Sequence, residues 1–385
     1  MLTLKGTSRN INKPLLGRIS FLPVEDNNKS TAIIINPALT KNGLEGYVAS
    51  IFSHANTDHD LMVYEIPTVY NVSNIDFLSE GDVVEIFPNG AINVLYQINS
   101  KHNQIFVTSR CNSNCIMCPQ PIDHHERNLT ELNLKLISLM DKSISELAFN
   151  GGEPTLIGYD FFRLILACKD FLPDTALLLL TNGRKFSDFN YTHRYSSLCH
   201  PNITVSTPIY GDNDIEHDFI VGAKGSFNET VMGILNLASF GHPIEIRTVI
   251  HKYTYKNLLK ISEYLYRNMT FVKHIAFMGM ETTWRAKKNL ELLWVEPIEI
   301  IHPLEEAVHH LVQRGMDVSI YNIPLCLLPK QLWTFARQSI SDWKNSFESK
   351  CLMCSVKNQC SGMFDSGVSI YREYLEPIDS LSFPE

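Results

Sequence analysis

Six strand-like apolar runs, at 105–108, 146–150, 176–180, 203–207, 244–250 and 272–278, punctuate the middle of the chain. Between them lie stretches with helical periodicity, among them 133–141, 161–170, 227–240 and 258–267. Strands spaced in this way cannot pair as tight hairpins. Each returns through a crossover, and the outcome is a parallel sheet with right-handed connections. The 227–240 helix is predicted to start from Ser226 as N-cap and to end near Gly241. Such a sheet either stays open or curls into a complete or partial barrel. The polar motifs favour the barrel, because in parallel α/β folds functional groups collect at the carboxyl ends of the strands. Cys111, Cys115 and Cys118 follow the first strand, Gly151-Gly152-Glu153-Pro154 the second and Thr181-Asn182-Gly183 the third. Ser206 and Thr207 end the fourth, Arg247 lies in the fifth, and 278–281 follow the sixth. The expected class is α/β, with a partial (βα)6 TIM-like barrel at its centre.

The Cys-x3-Cys-x2-Cys run is the strongest chemical signal. Three clustered thiolates can hold three irons of a [4Fe-4S] cubane and leave the fourth iron open to a substrate or cosubstrate. Zinc is the competing reading, but a structural zinc site wants four ligands, and no fourth Cys or His fits the local pattern. His124 and His125 sit in a polar stretch, 123–127, that reads as a solvated loop. Nine cysteines, an odd number, and no secretory signal argue against a disulfide framework.

The flanks read differently. Residues 1–100 form a β-rich N-terminal domain, best marked by 82–98, where Asn89-Gly90 separates two strand-like runs. There Ile92, Val94, Tyr96 and Ile98 alternate with Asn93, Leu95 and Gln97, as in a half-buried strand. The stretch His54-Ala55-Asn56-Thr57-Asp58-His59 resembles the metal motif of metallo-β-lactamase-fold hydrolases, but Asn56 stands where a second His is needed, so it reads as a polar loop. Residues 101–320 make the core and 321–385 a small C-terminal extension. A net charge of −8 argues against general nucleic-acid binding and offers no polybasic membrane patch. Apolar stretches such as 176–180 are far too short to span a bilayer, and 1–19 lacks an uninterrupted apolar segment. A cytoplasmic protein with neither nucleic-acid nor membrane partner is expected. Cys168, among apolar residues of a helix, and Cys199, near a helix end, read as buried or structural thiols.

The triplet with its glycine-rich turn resembles the radical S-adenosylmethionine (radical SAM) enzymes. The resemblance implies that the open iron chelates the methionine moiety of S-adenosylmethionine and that an electron from the reduced cluster releases a 5′-deoxyadenosyl radical. It implies backbone of Gly151 and Gly152 close to the bound amino group, Glu153 accepting from that ammonium, and Pro154 stiffening the turn. Ser206 is then placed toward the ribose hydroxyls and Arg247 toward the methionyl carboxylate. The plain alternatives are a strand-end contact for Ser206 and an internal ion pair for Arg247. Asn182 and Gly183 read as loop-shaping. Met117 stands where the family commonly has an aromatic residue near the adenine, and as a polarizable apolar side chain it can fill the same space.

Cys351-x2-Cys354-x5-Cys360, with Cys326 upstream, resembles the core of the SPASM and twitch extensions that bind auxiliary iron–sulfur clusters. The full pattern continues with further cysteines, whereas here Phe364 takes the matching position and no cysteine follows Cys360. A reduced extension with one second cluster is expected, with zinc on the same four thiolates as the alternative. The stretches 109–120 and 150–156 look like those of the His-Xaa-Ser system radical SAM maturases, most like the C-type member. That likeness implies a small ribosomal peptide substrate with His-Xaa-Ser repeats, a low-potential electron donor and a second radical SAM maturase as partners. The open alternatives are a radical SAM enzyme acting on a small molecule, and a non-catalytic iron–sulfur or zinc binding protein. No catalytic acid or base stands out.

Overall fold

The computed structural model describes residues 2–35, 44–53, 66–123 and 127–379. His54 to His59, like His124 and His125, lie outside the described residues. The chain divides into two compact units: residues 1–105, 128–148 and 159–176 form the first, and 106–127, 149–158 and 177–385 the second.

The first unit contains a mixed sheet of eight short strands: β1 (Thr3–Lys5), β2 (Thr7–Arg9), β3 (Leu15–Ser20), β4 (Ala32–Ile35), β5 (Ala49–Ile51), β6 (Thr68–Tyr70), β7 (Val83–Ile86) and β8 (Ala91–Tyr96). Their order is β1-β8-β7-β3-β4-β5-β6-β2. The expected hairpin is there: β7 and β8 pair antiparallel around Gly90, whose φ of 79° lies in the region that favours glycine. Ile92, Val94 and Tyr96 are buried as the alternation predicts, the first two in a core with Ile33, Ile51, Val69 and Ile86. The same unit holds the helices Thr130–Leu139 and Tyr159–Phe171, close to the expected spans. Cys168 is fully buried on the second of these.

The parallel strands dominate the second unit. After β9 (Gln104–Phe106), β10 (Glu146–Asn150) and β11 (Ala176–Leu180) come β12 (Ile203–Pro208), β13 (Ile244–Val249), β14 (His274–Met278), β15 (Val318–Tyr321) and β16 (Ala336–Arg337). Their order is strictly sequential, β16-β15-β14-β13-β12-β11-β10-β9, and every neighbouring pair from β11 to β16 is parallel. All six expected strands are present within two residues, and two further strands extend the sheet. Phe106, Phe149 and Asn150, the carboxyl ends of β9 and β10, belong to this unit. Fully buried Val205, Ile246, Phe277 and Ile320 show the apolar face typical of covered parallel strands.

One helix start differs from expectation. Ser226 is the first residue of the helix Ser226–Ser239, and Gly225, at φ 80°, is the N-cap without a side-chain bond. The Ser226 hydroxyl instead meets His217 Nε2 at 3.4 Å, because both are buried together. Gly241, at φ 76°, terminates that helix as expected. Cys199 also departs from the buried reading: it is exposed, at φ 51°, just past the helix Phe189–Ser196. Apart from β16, the described residues beyond β15 form short 3₁₀ turns, the short helix Val368–Tyr371 and a two-residue ladder, β17 (Asn345–Ser346) with β18 (Met363–Phe364). Among the described residues no helix is long and apolar enough to cross a membrane.

Candidate metal centre

The turn after β10 is zipped onto the loop after β9. The Gly152 N–H donates to Thr108 O at 2.6 Å, and the Glu153 N–H to Arg110 O at 2.8 Å. Gly151 has φ 146°, and a Cβ there would collide with the Thr108 carbonyl. A Cβ on Gly152 would collide with the Arg110 carbonyl. The glycines are thus demanded by the close approach of the cysteine loop, a cause that the sequence reading, which assigned them to a bound amino group, did not contain. Pro154 opens a short 3₁₀ turn, Pro154–Ile157.

Glu153 is fully buried and knots three segments together. Its Oε1 accepts from Thr155 N at 3.0 Å, Thr155 Oγ1 at 2.7 Å and Thr181 Oγ1 at 2.7 Å, and its Oε2 from Asn182 N at 2.6 Å. Burial pushes this carboxyl upward, and the four donors oppose the push. Oε2, with one donor, retains acceptor capacity.

Further contacts grip the loop from three sides. Asn114 N and Ile116 N donate to Val221 O and Ile220 O, at the end of the helix Asp214–Val221. From the turn after β11, Asn182 Nδ2 donates to Asn112 Oδ1 at 2.6 Å, and Arg184 reaches the Asn112 carbonyl. From the segment after β14, Thr283 Oγ1 donates to Pro119 O at 2.9 Å and Arg285 N to Cys118 O at 3.2 Å. Arg285 Nη1 donates to Asn114 O at 3.1 Å and Asn289 Nδ2 to Ile116 O at 2.8 Å. None of Arg184, Arg285 and Asn289 stood out in the sequence, because their partners are backbone carbonyls and leave no pattern of residue types.

The three thiols fit an iron–sulfur cluster. Burial pushes Cys111 up to about 11 and Cys115 up to about 12; the other cysteines of the triplet add to it. Cys118 is raised by burial as well. Three neighbouring part-buried thiols that resist ionisation would ionise only with a cation among them, which is what cluster iron supplies. The Ser113 N–H already donates to Cys111 Sγ at 3.4 Å. Among the described residues no three His, Cys, Asp or Glu side chains close on one point as ligands of a single metal ion do. A cubane asks for something else, since each thiolate binds a different iron. Met117 is buried beside Tyr210, Ile220, Val221 and Met280, and so forms part of the apolar floor under the loop.

Ser206 and Arg247 meet through a residue that the sequence reading passed over. Ser206 Oγ donates to Glu245 Oε1 at 2.8 Å and Arg247 Nε to the same oxygen at 2.5 Å. His274 Nδ1 lies 2.8 Å from Glu245 Oε2, and its Nε2 lies 2.9 Å from Ser319 Oγ. The register makes this inevitable, since Glu245 is paired with both Ser206 and His274 across the sheet. Burial alone would raise Glu245, but His274, Arg247 and Ser206 together hold it down to about 2. Arg247 therefore takes part in an internal ion pair, and its guanidinium also lies 5.7 Å from the Tyr321 ring.

The C-terminal cysteines share one cavity. Cys326, Cys351, Cys354 and Cys360 line one partly open pocket walled by Leu325, Phe347 and Val356. Leu325 N donates to Cys360 Sγ and Ile378 N to Cys354 Sγ, each at 3.4 Å. Four thiols line one small pocket, two of them already taking N–H bonds, a donor set of the kind an iron–sulfur cluster uses, although they do not close on one point as the ligands of a single zinc ion would.

No family model matches the chain. Over 182 residues it is 26% identical to a GTP 3′,8-cyclase of Campylobacter jejuni, covering 46% of this chain and 55% of that protein. It is 25% identical over 173 residues to a cysteine-type anaerobic sulfatase-maturating enzyme of Clostridium novyi, covering 41% and 45%. The chain thus spans about half the length of the curated relatives it matches. Among solved structures, Streptococcus suis SuiB bound to S-adenosylmethionine aligns at a TM-score of 0.47 and 15% identity, over 56% of this chain and 49% of that one. A large part of the chain is therefore similar in sequence to radical SAM enzymes, the superfamily whose cysteine triplet and glycine turn it carries.

Proposed function

We propose that the chain is a radical SAM enzyme that modifies a ribosomally made peptide. The observation that carries this reading is the zipping of the Gly151–Pro154 turn onto the loop of Cys111, Cys115 and Cys118, at the carboxyl ends of adjacent strands. The strands from β9 to β14 would form the partial (βα)6 barrel. When bound, a reduced [4Fe-4S] cluster and S-adenosylmethionine supply a 5′-deoxyadenosyl radical that removes a hydrogen atom from the substrate. The protein's part is to position and to exclude water. Cys111, Cys115 and Cys118 hold three irons, and the knot centred on Glu153 fixes the turn against them. Glu153 Oε2 retains capacity for the methionyl ammonium, and Ser206 and Arg247, oriented by Glu245, stand for the ribose hydroxyls and the carboxylate.

Cys326, Cys351, Cys354 and Cys360 would hold a second cluster, with zinc as the other occupant. A peptide substrate is supported by the likeness of 109–120 and 150–156 to His-Xaa-Ser maturases. The sulfatase-maturating relative, which by its name also acts on a protein, adds to that support. On this reading the partners are a small peptide with His-Xaa-Ser repeats, a low-potential electron donor and a second radical SAM maturase, in the cytoplasm. A small-molecule substrate is the second reading, favoured by the similarity to a GTP 3′,8-cyclase.

The test is anaerobic reconstitution, addition of dithionite and S-adenosylmethionine, and quantification of 5′-deoxyadenosine against Cys115→Ala. Cleavage that depends on Cys115 is expected. A verified [4Fe-4S] protein that leaves S-adenosylmethionine intact, with and without candidate peptides, would overturn the reading in favour of a binding protein.

A further inference from the structure

Two arginines reach the cysteine loop from its opposite ends. Arg184 is largely buried, its side chain 13% exposed. It bonds the Asn112 carbonyl and, at 3.3 Å, Ser113 Oγ, while Glu229 holds its Nε at 2.6 Å. Arg285 donates from its backbone to Cys118 O and from Nη1 to Asn114 O, so one residue spans the second half of the loop. Among the described residues no carboxylate forms a salt bridge with Arg285, so its charge is not offset as that of Arg184 is. The chain enters this contact under strain: Trp284 sits at φ 45°, a region that bulky residues avoid, and the Lys288 ammonium lies 4.8 Å from its ring. Strain of this kind persists only where surrounding contacts over-determine it, and Thr283, Arg285 and Asn289 supply three side chains bonded to the loop.

We propose that Arg184 and Arg285 are positioning residues for the [4Fe-4S] cluster, holding the loop in its ligating shape and favouring the reduced cluster through their charge. The inference rests on the cluster assignment above and deepens it. A cluster that gains an electron becomes more negative, and an arginine keeps its positive charge at every working pH. A guanidinium fixed on the cysteine loop therefore stabilises the reduced state more than the oxidised one. Arg285 carries the larger effect because Glu229 offsets Arg184.

The test is a redox titration of the reconstituted full chain, read by the electron paramagnetic resonance of the reduced cluster. A Cys354→Ala background leaves only the cluster on the triplet to be read. Arg285→Gln is expected to lower the reduced fraction at fixed poise about tenfold, equivalent to a midpoint about 59 mV more negative for one electron. Arg184→Gln shifts it less, and Arg285→Lys restores most of the loss. In the chain without iron, hydrogen exchange at residues 112–119 speeds up in Arg285→Gln. Unchanged potentials in both Gln variants overturn the proposal, as does a Lys variant no better than Gln. If Arg285→Gln holds no cluster, the Arg184→Gln titration decides by the same criterion. A wild-type chain that builds no cluster on the triplet overturns the proposed function itself; a loaded wild type with unshifted variants overturns this inference alone.

Discussion

The two sets of cysteines differ in what holds them in place. Cys111, Cys115 and Cys118 lie on a loop whose shape depends on segments distant in sequence: the turns after β10 and β11, the end of the helix Asp214–Val221, and residues 283–289. The sheet of the same unit carries a charged network centred on Glu245. The C-terminal four are held by short 3₁₀ turns and apolar walls, with N–H bonds to two sulfurs and no regular element longer than six residues between Cys326 and Cys360. On the proposed reading, three ligands on a loop gripped from three sides would leave a coordination position open, which chemistry needs. On the same proposal, four cysteines around one pocket would leave none, which suits a structural or electron-transfer role. One segment serves both, since Glu281 pairs with Lys344 at 3.0 Å and Thr282 bonds Ser366 O at 2.9 Å, just ahead of the residues that grip the first loop.

The contrast can be broken most sharply at the ligands. Cys115→Ala is expected to reduce 5′-deoxyadenosine to the level of a chain-free control, the largest loss of any substitution considered. Retained cleavage would remove the distinction between the sites.

Acid sharpens the difference next. Glu245 is held at about 2, below its ordinary 4.5, so its ionised network stabilises the fold above about pH 4.5 and that contribution disappears as pH falls toward 2. The contribution is on the order of 3 kcal/mol. Glu245→Gln should flatten the acid limb of a chemical-denaturation series between those pH values while lowering stability at neutral pH. An acid limb identical to wild type would show that the network is not what supports the sheet of that unit.

Gly152→Ala probes the zip. The added methyl meets the Arg110 carbonyl, so a cost of about 1–3 kcal/mol in urea unfolding is expected, with weakened uptake of iron by the first site only. Equal loss of iron from both sites would mean that they are not independently held.

The smallest effect on cleavage is expected at the C-terminal cysteine pocket. Cys354→Ala should remove the iron or zinc bound there, measured by metal analysis, and leave uncoupled S-adenosylmethionine cleavage within a factor of about two. Loss of cleavage together with that metal would show that the two sites work as one.

Much of the site was legible because it is written in local spacing. The Cys-x3-Cys-x2-Cys run, the Gly-Gly-Glu-Pro turn and the Cys-x2-Cys-x5-Cys run are short motifs whose residue types carry the chemistry themselves. The six strands were legible for a related reason, since covered parallel strands are continuous apolar runs bounded by polar turns. Illegible were contacts in which a side chain bonds a remote backbone carbonyl, as Arg285 does with Asn114 and Asn289 with Ile116. The partner's identity is irrelevant to such a bond, so no pattern of residue types betrays it. Glu245 escaped for another reason: a charged residue in a strand gains meaning only once the register sets Ser206 and His274 beside it. The Ser226 cap failed in the same way, when a buried histidine claimed the hydroxyl that was expected to cap the helix.

The sequence by itself therefore determined the α/β class, the order of strand and helix along the core, the two cysteine sets and the glycine turn. Hydrophobic period and ligand spacing are properties of neighbouring residues. The tertiary structure alone decided that Gly151 and Gly152 are required by the carbonyls of Thr108 and Arg110. It alone decided that Glu153 is spent largely on Thr155, Thr181 and Asn182, and that Arg184 and Arg285 close on the loop from its two ends. Those facts depend on which distant backbones the parallel sheet brings within hydrogen-bond reach, and that is settled by strand register and packing rather than by any residue's neighbours along the chain.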